Sequence, residues 1–152
     1  MNCFELYKNV KANNLAINTF TYPITVFNRM VNDPHWEFIL LYLKSEENTK
    51  EAVGVMFCYK NSEHTYVPAL IGMNYNYAAR FQMYRQLLFQ TIKRARAINF
   101  KKIDFGFSAT FEKKKLGAAI IPKVAYVQAR DNFSMELMGT LQNETNSNKS
   151  KI

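Results

Sequence analysis

The spacing of apolar residues changes several times along the chain, and each change predicts a new element. Apolar positions in residues 14–30 recur at helical spacing, but Pro23 interrupts them. We therefore expect two short helices or one broken helix there, ended by the turn pair Asp33-Pro34. Upstream of this region, residues 3–7 predict one short strand.

Three strand-like runs follow, separated by short polar segments. Residues 37–44 are rich in strand formers, residues 52–60 are apolar on both faces, and residues 65–75 contain Pro68 and Gly72, which should disturb the pairing of that strand. A strand that is apolar on both faces belongs in the centre of a sheet. The short turns predict an antiparallel meander.

The apolar period then changes to that of a helix. One face of residues 78–98 is apolar and the opposite face is basic, and Asn99 is positioned to end the helix. Residues 101–108 alternate and predict a strand, residues 110–116 predict a short helix, and residues 120–129 predict a last strand. A helix between two nearby strands implies a parallel crossover.

This order of elements predicts the fold class α+β. We expect a mixed central sheet, with an antiparallel meander and then a helix crossover to a parallel strand, flanked by helices. At 152 residues the chain is long enough for one domain, which we place at residues 1–139, followed by a disordered polar tail at 140–152. We find no secretory signal and no apolar run that could span a membrane, so we expect a cytoplasmic protein.

Positive charge is concentrated in one part of the chain. The formal net charge is +8, and most basic residues fall between Arg80 and Arg130, where Asp104 and Glu112 are the only acids. Such an imbalance indicates an anionic partner. A phosphorylated small molecule, an RNA and an acidic protein all remain open. Two isolated histidines do not form a metal site, so no metal is expected.

Three short motifs lie in this basic region. The main helix carries YRQLL at residues 84–88, the next strand carries IDFG at 103–106, and the following turn reads EKKKLGA at 112–118. Together with residues 66–77, these motifs resemble the GNAT acyltransferase superfamily, and more narrowly its FemAB-like branch of the peptidoglycan-biosynthesis type. The resemblance covers roughly residues 19–136, although the glycine-rich pyrophosphate loop of most GNAT enzymes is missing before the main helix.

This resemblance implies an N-acyltransferase that moves an acyl or aminoacyl group from a carrier to an amine. The carrier would be acyl-CoA, an acyl carrier protein or a tRNA, and each of these is a polyanion. Domains of this kind also resemble modules that associate with a larger biosynthetic enzyme. Two alternatives remain, namely a non-catalytic basic module that binds RNA or a protein partner, and a degenerate GNAT scaffold without activity.

The resemblance also assigns candidate residues for the acyl-CoA co-substrate. The acyl arm would pair with the exposed backbone of the strand before the main helix, and the pyrophosphate would meet the helix start and a lysine of the basic run. The candidate cofactor-binding residues are Ile71, Gly72, Met73, Asn76, Ala79, Arg80 and Lys114.

Amide formation needs a group that takes the proton of the amine and a group that protonates the leaving thiolate. Asp104 is the candidate base, because partial burial near a strand end would raise its pKa. The alternative for Asp104 is a surface carboxylate paired with Lys101 or Lys114. Tyr75 and Tyr126 are the candidate acids.

Overall fold

A computed structural model of the chain describes residues 2–13, 20–44, 51–62 and 64–124. By its contacts the chain divides into the unit Met1–Ala119 and the unit Ile120–Ile152. Of the second unit, residues 120–124 are described, and they form neither helix nor strand. The rest of the strand predicted over residues 120–129, Tyr126 and the predicted tail lie outside the described residues.

The described part of the first unit is a four-stranded sheet with helices on both faces. The strands lie in the order β1-β2-β3-β4, with β1, β2 and β3 antiparallel and β4 parallel to β3. This confirms the predicted α+β class with a mixed sheet. In chain order the elements are α1 (Cys3–Asn13), α2 (Ile24–Asn32), β1 (Trp36–Leu41), β2 (Gly54–Asn61), β3 (Thr65–Met73), α3 (Tyr75–Ala78), α4 (Met83–Ala97), β4 (Lys102–Ile103) and α5 (Thr110–Lys115).

The strand β2 is buried on both faces, as its continuous apolar sequence predicted. Val55 and Phe57 belong to the cluster that α1 and α2 cover, whereas Met56 and Cys58 belong to the cluster under α4. Successive strand residues point to opposite faces, so β2 contributes buried residues to both clusters. The predicted disturbance in β3 is confirmed at Pro68, where the register with β2 shifts.

The first element is a helix, and the strand predicted over residues 3–7 is wrong. The side chain of Asn2 caps α1, because its Oδ1 accepts a hydrogen bond from the Glu5 N–H at 2.9 Å. Leu6 and Tyr7 are buried on the sheet side of this helix. The backbone of α1 lies so close to β3 that a Cβ on Gly72 would be 2.6 Å from the Tyr7 nitrogen.

The break predicted at Pro23 is confirmed. The helix α2 begins directly after Pro23 and ends at Asn32, one residue before the Asp33-Pro34 turn. A proline has no N–H to lose at a helix start, which explains this boundary. The earlier part of the predicted segment, residues 14–19, lies outside the described residues.

The main helix begins later than predicted. Residues 75–78 form the separate short helix α3, and α4 starts at Met83 after Gln82, whose φ of 48° is left-handed. Residues 79–82 therefore form a turn instead of the first helical turn. As a result Phe81, which we expected on the apolar face of the helix, is 42% exposed.

The predicted end of the main helix is confirmed at Asn99. This residue has a left-handed φ of 60°, and its N–H donates to the Arg96 carbonyl at 3.1 Å. The Phe100 N–H reaches back to the Ala95 carbonyl at 2.9 Å. These two bonds satisfy carbonyls that the end of a helix leaves unpaired.

The strand predicted over residues 101–108 is much shorter in the structure. The strand β4 pairs with β3 only through Lys102 and Ile103, opposite Thr65 and Tyr66. Alternation of apolar residues continues beyond Ile103, but Gly106, Ser108 and Ala109 have positive φ values. A left-handed backbone cannot continue a strand, so the chain leaves the sheet.

Candidate functional site

A cavity of about 250 Å³ opens at the carboxyl end of β3. It lies beyond the short parallel pairing of β3 and β4, and residues 67–73 have no partner strand on that side within the described part of the chain. One part of the wall is apolar and the other carries polar side chains. The lining residues are Met73, Ala78, Ala79, Gln82, Tyr84, Arg85 and Glu112.

An ion pair joins α4 to α5 at this cavity. Arg85 donates from Nε and Nη2 to Glu112 Oε2, at 3.0 and 2.9 Å, and from Nη1 to Gln82 Oε1 at 2.7 Å. Lys115 Nζ lies 3.5 Å from the other carboxylate oxygen, Oε1. The hydrogen bonds from Arg85, and to a lesser extent the charge of Lys115, lower the pKa of Glu112, so this side chain is ionised at neutral pH.

Tyr84 is a hydrogen-bond donor at the same cavity. It is half-buried, and burial raises the pKa of its hydroxyl, with a further contribution from the nearby charge of Glu112. The hydroxyl therefore stays protonated across the neutral range. The cavity thus combines an apolar wall with a neutral donor, a carboxylate and a guanidinium.

Two of the predicted cofactor-binding residues, Met73 and Ala79, line this cavity. Arg80 follows Ala79 in the exposed turn, with its guanidinium 5.2 Å from the centre of the Phe81 ring. The Asn76 N–H donates to Asn74 Oδ1 at 3.0 Å, which caps the start of α3. These residues lie close together along the chain at one end of the sheet.

The other predicted cofactor-binding residues lie elsewhere. Ile71 packs against the cluster under α4, and Gly72 faces α1, whose backbone already makes the close approach that a glycine allows. Lys114 is exposed on α5. Their role in binding a cofactor stays a prediction, and for Gly72 the structure supplies a packing reason for the glycine.

The two predicted catalytic residues that the structure describes, Asp104 and Tyr75, are not among the residues that line the cavity. Asp104 is exposed, and its Oδ1 accepts a hydrogen bond from the Gly106 N–H at 2.8 Å. Tyr75 is the first residue of α3 and is also exposed, although partial burial raises the pKa of its hydroxyl. Tyr126 lies outside the described residues.

Lys113 is a buried lysine that we did not predict as important. It is 5% exposed, and its Nζ donates to the Phe105 carbonyl at 2.7 Å, the Phe107 carbonyl at 2.6 Å and the Gly106 carbonyl at 3.3 Å. Burial lowers the pKa of this ammonium group, while the charge of Asp104 opposes that shift. Lys113 therefore holds the loop that follows β4, and it is the first lysine of the K-x-x-x-G spacing in the third motif.

A second polar cluster lies at the opposite end of β3, between the sheet and α4. The Glu37 carboxylate accepts a hydrogen bond from the Tyr66 hydroxyl and three from Arg94. Arg94 Nε donates to Oε1 at 3.0 Å and to Oε2 at 3.3 Å, and Nη2 donates to Oε2 at 2.9 Å. Burial raises the pKa of Tyr66, and it raises the pKa of the neighbouring Cys58 thiol to about 12. Among the described residues no buried side-chain nitrogen or oxygen lacks a hydrogen-bond partner, and Cys58 remains a protonated thiol that packs in the core.

Replacing Glu37 by glutamine is expected to lower the free energy of unfolding by about 2 kcal/mol at pH 7, because charge-assisted hydrogen bonds are lost. Burial opposes ionisation of Glu37, but the hydrogen bonds from Arg94 and Tyr66 outweigh it and bring its pKa below the ordinary 4.5. A carboxylate with a lower pKa in the folded state stabilises the fold above its unfolded pKa, and this contribution is lost as pH falls through the folded value.

Urea unfolding at pH 7 and at pH 3 measures this effect. The difference between wild type and the Glu37→Gln variant should shrink at pH 3. The control is Glu5→Gln. In the wild type, Glu5 pairs with Lys8, both side chains are 45% exposed, and the ion pair should contribute little to the free energy of unfolding. A difference for Glu37→Gln that is equal at both pH values would contradict the assignment.

Two features of the described residues bear on the kind of site. Within residues 2–13, 20–44, 51–62 and 64–124, no group of three His, Cys, Asp or Glu side chains is placed to hold a metal ion. In the same ranges, no helix is both long enough and apolar enough to cross a bilayer.

No family model matches this chain, and comparisons with curated proteins and with solved structures gave no significant match. A functional proposal therefore depends on the cavity, on its residues and on the motifs in the sequence.

Proposed function

We propose that the chain is an N-acyltransferase of the GNAT type, in the FemAB-like branch, which transfers an acyl or aminoacyl group from a carrier to an amine. The carrier is acyl-CoA, an acyl carrier protein or a tRNA. The observation that carries this proposal is the cavity at the carboxyl end of β3, because it lies beyond the point where β4 ends and is lined by Met73 and Ala79.

The chemistry of the wall suits an acyl group and its thioester. Met73, Ala78 and Ala79 offer an apolar surface for the acyl chain, and polar groups at the same cavity orient the reacting carbonyl. Catalysis is then mainly alignment of the amine with the carbonyl carbon.

The proton donor in this proposal is Tyr84. The amine attacks the carbonyl carbon in its neutral form, after any ammonium proton has passed to solvent. With acyl-CoA or an acyl carrier protein the carbon–sulfur bond breaks and the thiolate leaves with the proton of the Tyr84 hydroxyl; with an aminoacyl-tRNA the carbon–oxygen bond breaks and the alkoxide takes that proton. The proton released by the amine then restores that hydroxyl. Tyr84 is the candidate donor because it lines the cavity and because its hydroxyl is protonated at neutral pH.

The exposed turn beside the cavity supports an anionic carrier. Arg80 follows the cavity residue Ala79, and its guanidinium is exposed to solvent. Guanidinium groups bind phosphate oxygens through paired hydrogen bonds. The pyrophosphate of acyl-CoA is accordingly expected at this turn, without the glycine-rich loop.

One observation favours a second candidate, a basic module that binds RNA. Phe81 is exposed instead of buried in the core, and Arg80 lies over its ring. An exposed aromatic ring beside a cation can stack on a base and contact a phosphate. Binding to RNA would fall steeply with salt and would not respond to acyl-CoA.

A thermal-shift titration separates these two functions. Acetyl-CoA and a longer acyl-CoA, each at millimolar concentration, should raise the melting temperature, because a ligand at one hundred times its Kd adds about 2.7 kcal/mol of stability. Single-stranded RNA serves as the competing ligand at low and high salt. Salt-sensitive binding of RNA with no response to either acyl-CoA would exclude acyl-CoA as the carrier and favour the RNA module.

The substitution Arg80→Ala is expected to weaken acyl-CoA binding about tenfold, because a charge-assisted contact to phosphate is lost. Isothermal titration calorimetry measures the Kd directly. The matched control is Arg29→Ala, which removes the same exposed charge from α2, on the other face of the sheet. If both variants bind equally well, the pyrophosphate does not contact the turn at Arg80.

A further inference from the structure

We infer that the cavity at the carboxyl end of β3 takes a cationic primary amine and that Glu112 Oε1 binds its ammonium group. This inference rests on the proposed function, since the acceptor of an N-acyltransferase is an amine. It concerns how the acceptor is held before it reacts, so it can be tested by binding alone.

The two carboxylate oxygens of Glu112 are used unequally. Oε2 accepts both hydrogen bonds from Arg85, at 3.0 and 2.9 Å. Oε1 has one longer contact within the described residues, to Lys115 Nζ at 3.5 Å. An ionised carboxylate can accept more hydrogen bonds than this, so Oε1 has capacity for another cation.

Lys115 can leave Glu112 without losing all of its contacts. Its side chain is 46% exposed, and its Nζ also lies 4.0 Å from the centre of the Phe111 ring. An exposed ion pair contributes little to stability, and the contact of Lys115 with the Phe111 ring would still stabilise the ammonium group after it leaves Glu112. The ammonium group of a ligand can therefore replace Lys115 at Oε1 at low cost.

Arg85 argues against an anionic ligand in the same cavity. Its three guanidinium nitrogens all donate within the protein, two to Glu112 and one to Gln82 Oε1 at 2.7 Å. An anion would have to break these bonds. A cation at Oε1 keeps all of these bonds.

The test uses n-butylamine, which is a cation at pH 7, and n-butanol as its neutral counterpart. Calorimetric titration of the full chain should show binding of the amine and no binding of the alcohol. Glu112→Gln should weaken amine binding about tenfold or more. Lys115→Ala should strengthen it about threefold, because the competing cation is gone.

The Lys115→Ala variant keeps the inference testable even where Glu112→Gln loosens α5. The control is Lys93→Ala, an exposed lysine of α4 that does not line the cavity, and its affinity for the amine should equal that of wild type. Equal binding of butanol and butylamine, or a weaker affinity in Lys115→Ala, would overturn the inference.

Failure of this inference can be told apart from failure of the proposed function. If acyl-CoA stabilises the protein but the amine does not bind, the amine site at Glu112 is contradicted and the proposed transferase function is not. Amine binding that depends on Glu112, in a protein that no acyl-CoA stabilises, supports the cation site and contradicts a transferase that uses acyl-CoA.

Discussion

Replacing Gly72 by alanine is expected to destabilise the protein by about 3 kcal/mol, the upper end of the usual cost of overpacking. An added Cβ would lie 2.6 Å from the Tyr7 nitrogen and 2.7 Å from the Leu6 carbonyl carbon. These are backbone atoms in the middle of α1, so no side-chain rotation relieves the clash. The whole helix would have to move away from β3, which would expose the buried Leu6 and Tyr7.

The matched control for this experiment is Gly54→Ala. Its added Cβ would also be too close to a neighbour, at 2.9 Å, but that neighbour is the terminal methyl carbon of Met83. A methionine side chain can change its rotamer to make room. Urea unfolding should therefore show a much smaller loss for Gly54→Ala. A Gly72→Ala variant as stable as wild type would mean that α1 does not contact β3 at this point.

The second large effect is expected for Lys113→Met, which should lower the free energy of unfolding by about 2 kcal/mol. Methionine keeps the apolar stem but removes the ammonium donor that holds the carbonyl groups of residues 105–107. The positive φ values at the non-glycine residues Ser108 and Ala109 make this loop unfavourable without such support. Loss of the donor should therefore loosen the loop as well as lower stability.

Lys114→Met is the control, because Lys114 is exposed on the same helix. It should change stability by less than about 0.5 kcal/mol. Limited proteolysis with chymotrypsin adds a local readout, since cleavage after Phe105 or Phe107 should accelerate only in the Lys113 variant. Equal behaviour of both variants would show that the buried hydrogen bonds contribute nothing to the loop.

The elements that could be predicted from the sequence are those set by local or continuous signals. An unbroken apolar run places β2 at the centre of the sheet, Pro23 sets the start of α2, and Asn99 ends α4. Each of these depends on properties of a few neighbouring residues. The physical cause acts within the segment itself, so it is visible before folding.

The errors fall where a distant contact decides the local structure. The strand predicted over residues 3–7 is a helix because its buried side packs against β3 at Gly72, far away in sequence. The late start of α4 depends on the left-handed residue Gln82, a conformation that glutamine rarely adopts. The predicted strand after the main helix ends early because its loop is held by Lys113.

The candidate site was predicted only in part for the same reason. Met73 and Ala79 were among the candidates because the resemblance placed the carrier at the strand before the main helix and at the start of that helix, and both line the cavity. Tyr84, Arg85 and Glu112 reach the cavity from α4 and α5, and the pairing of Arg85 with Glu112 joins residues 27 positions apart. The charge of Glu112 was visible in the sequence as one of two acids in a basic region, but its partner was not.

The position of β2 also determines how the first unit loses its structure. The hydrophobic clusters on the two faces of the sheet both contain residues of β2, so neither cluster is complete without this strand. Separation of α1 and α2 from the sheet would expose one face of β2, against which α4 packs on the other face. Separation of α4 would likewise expose the face opposite α1 and α2. The two layers therefore melt as a single cooperative unit, and the amide hydrogens of β2 exchange with solvent only when that whole unit opens.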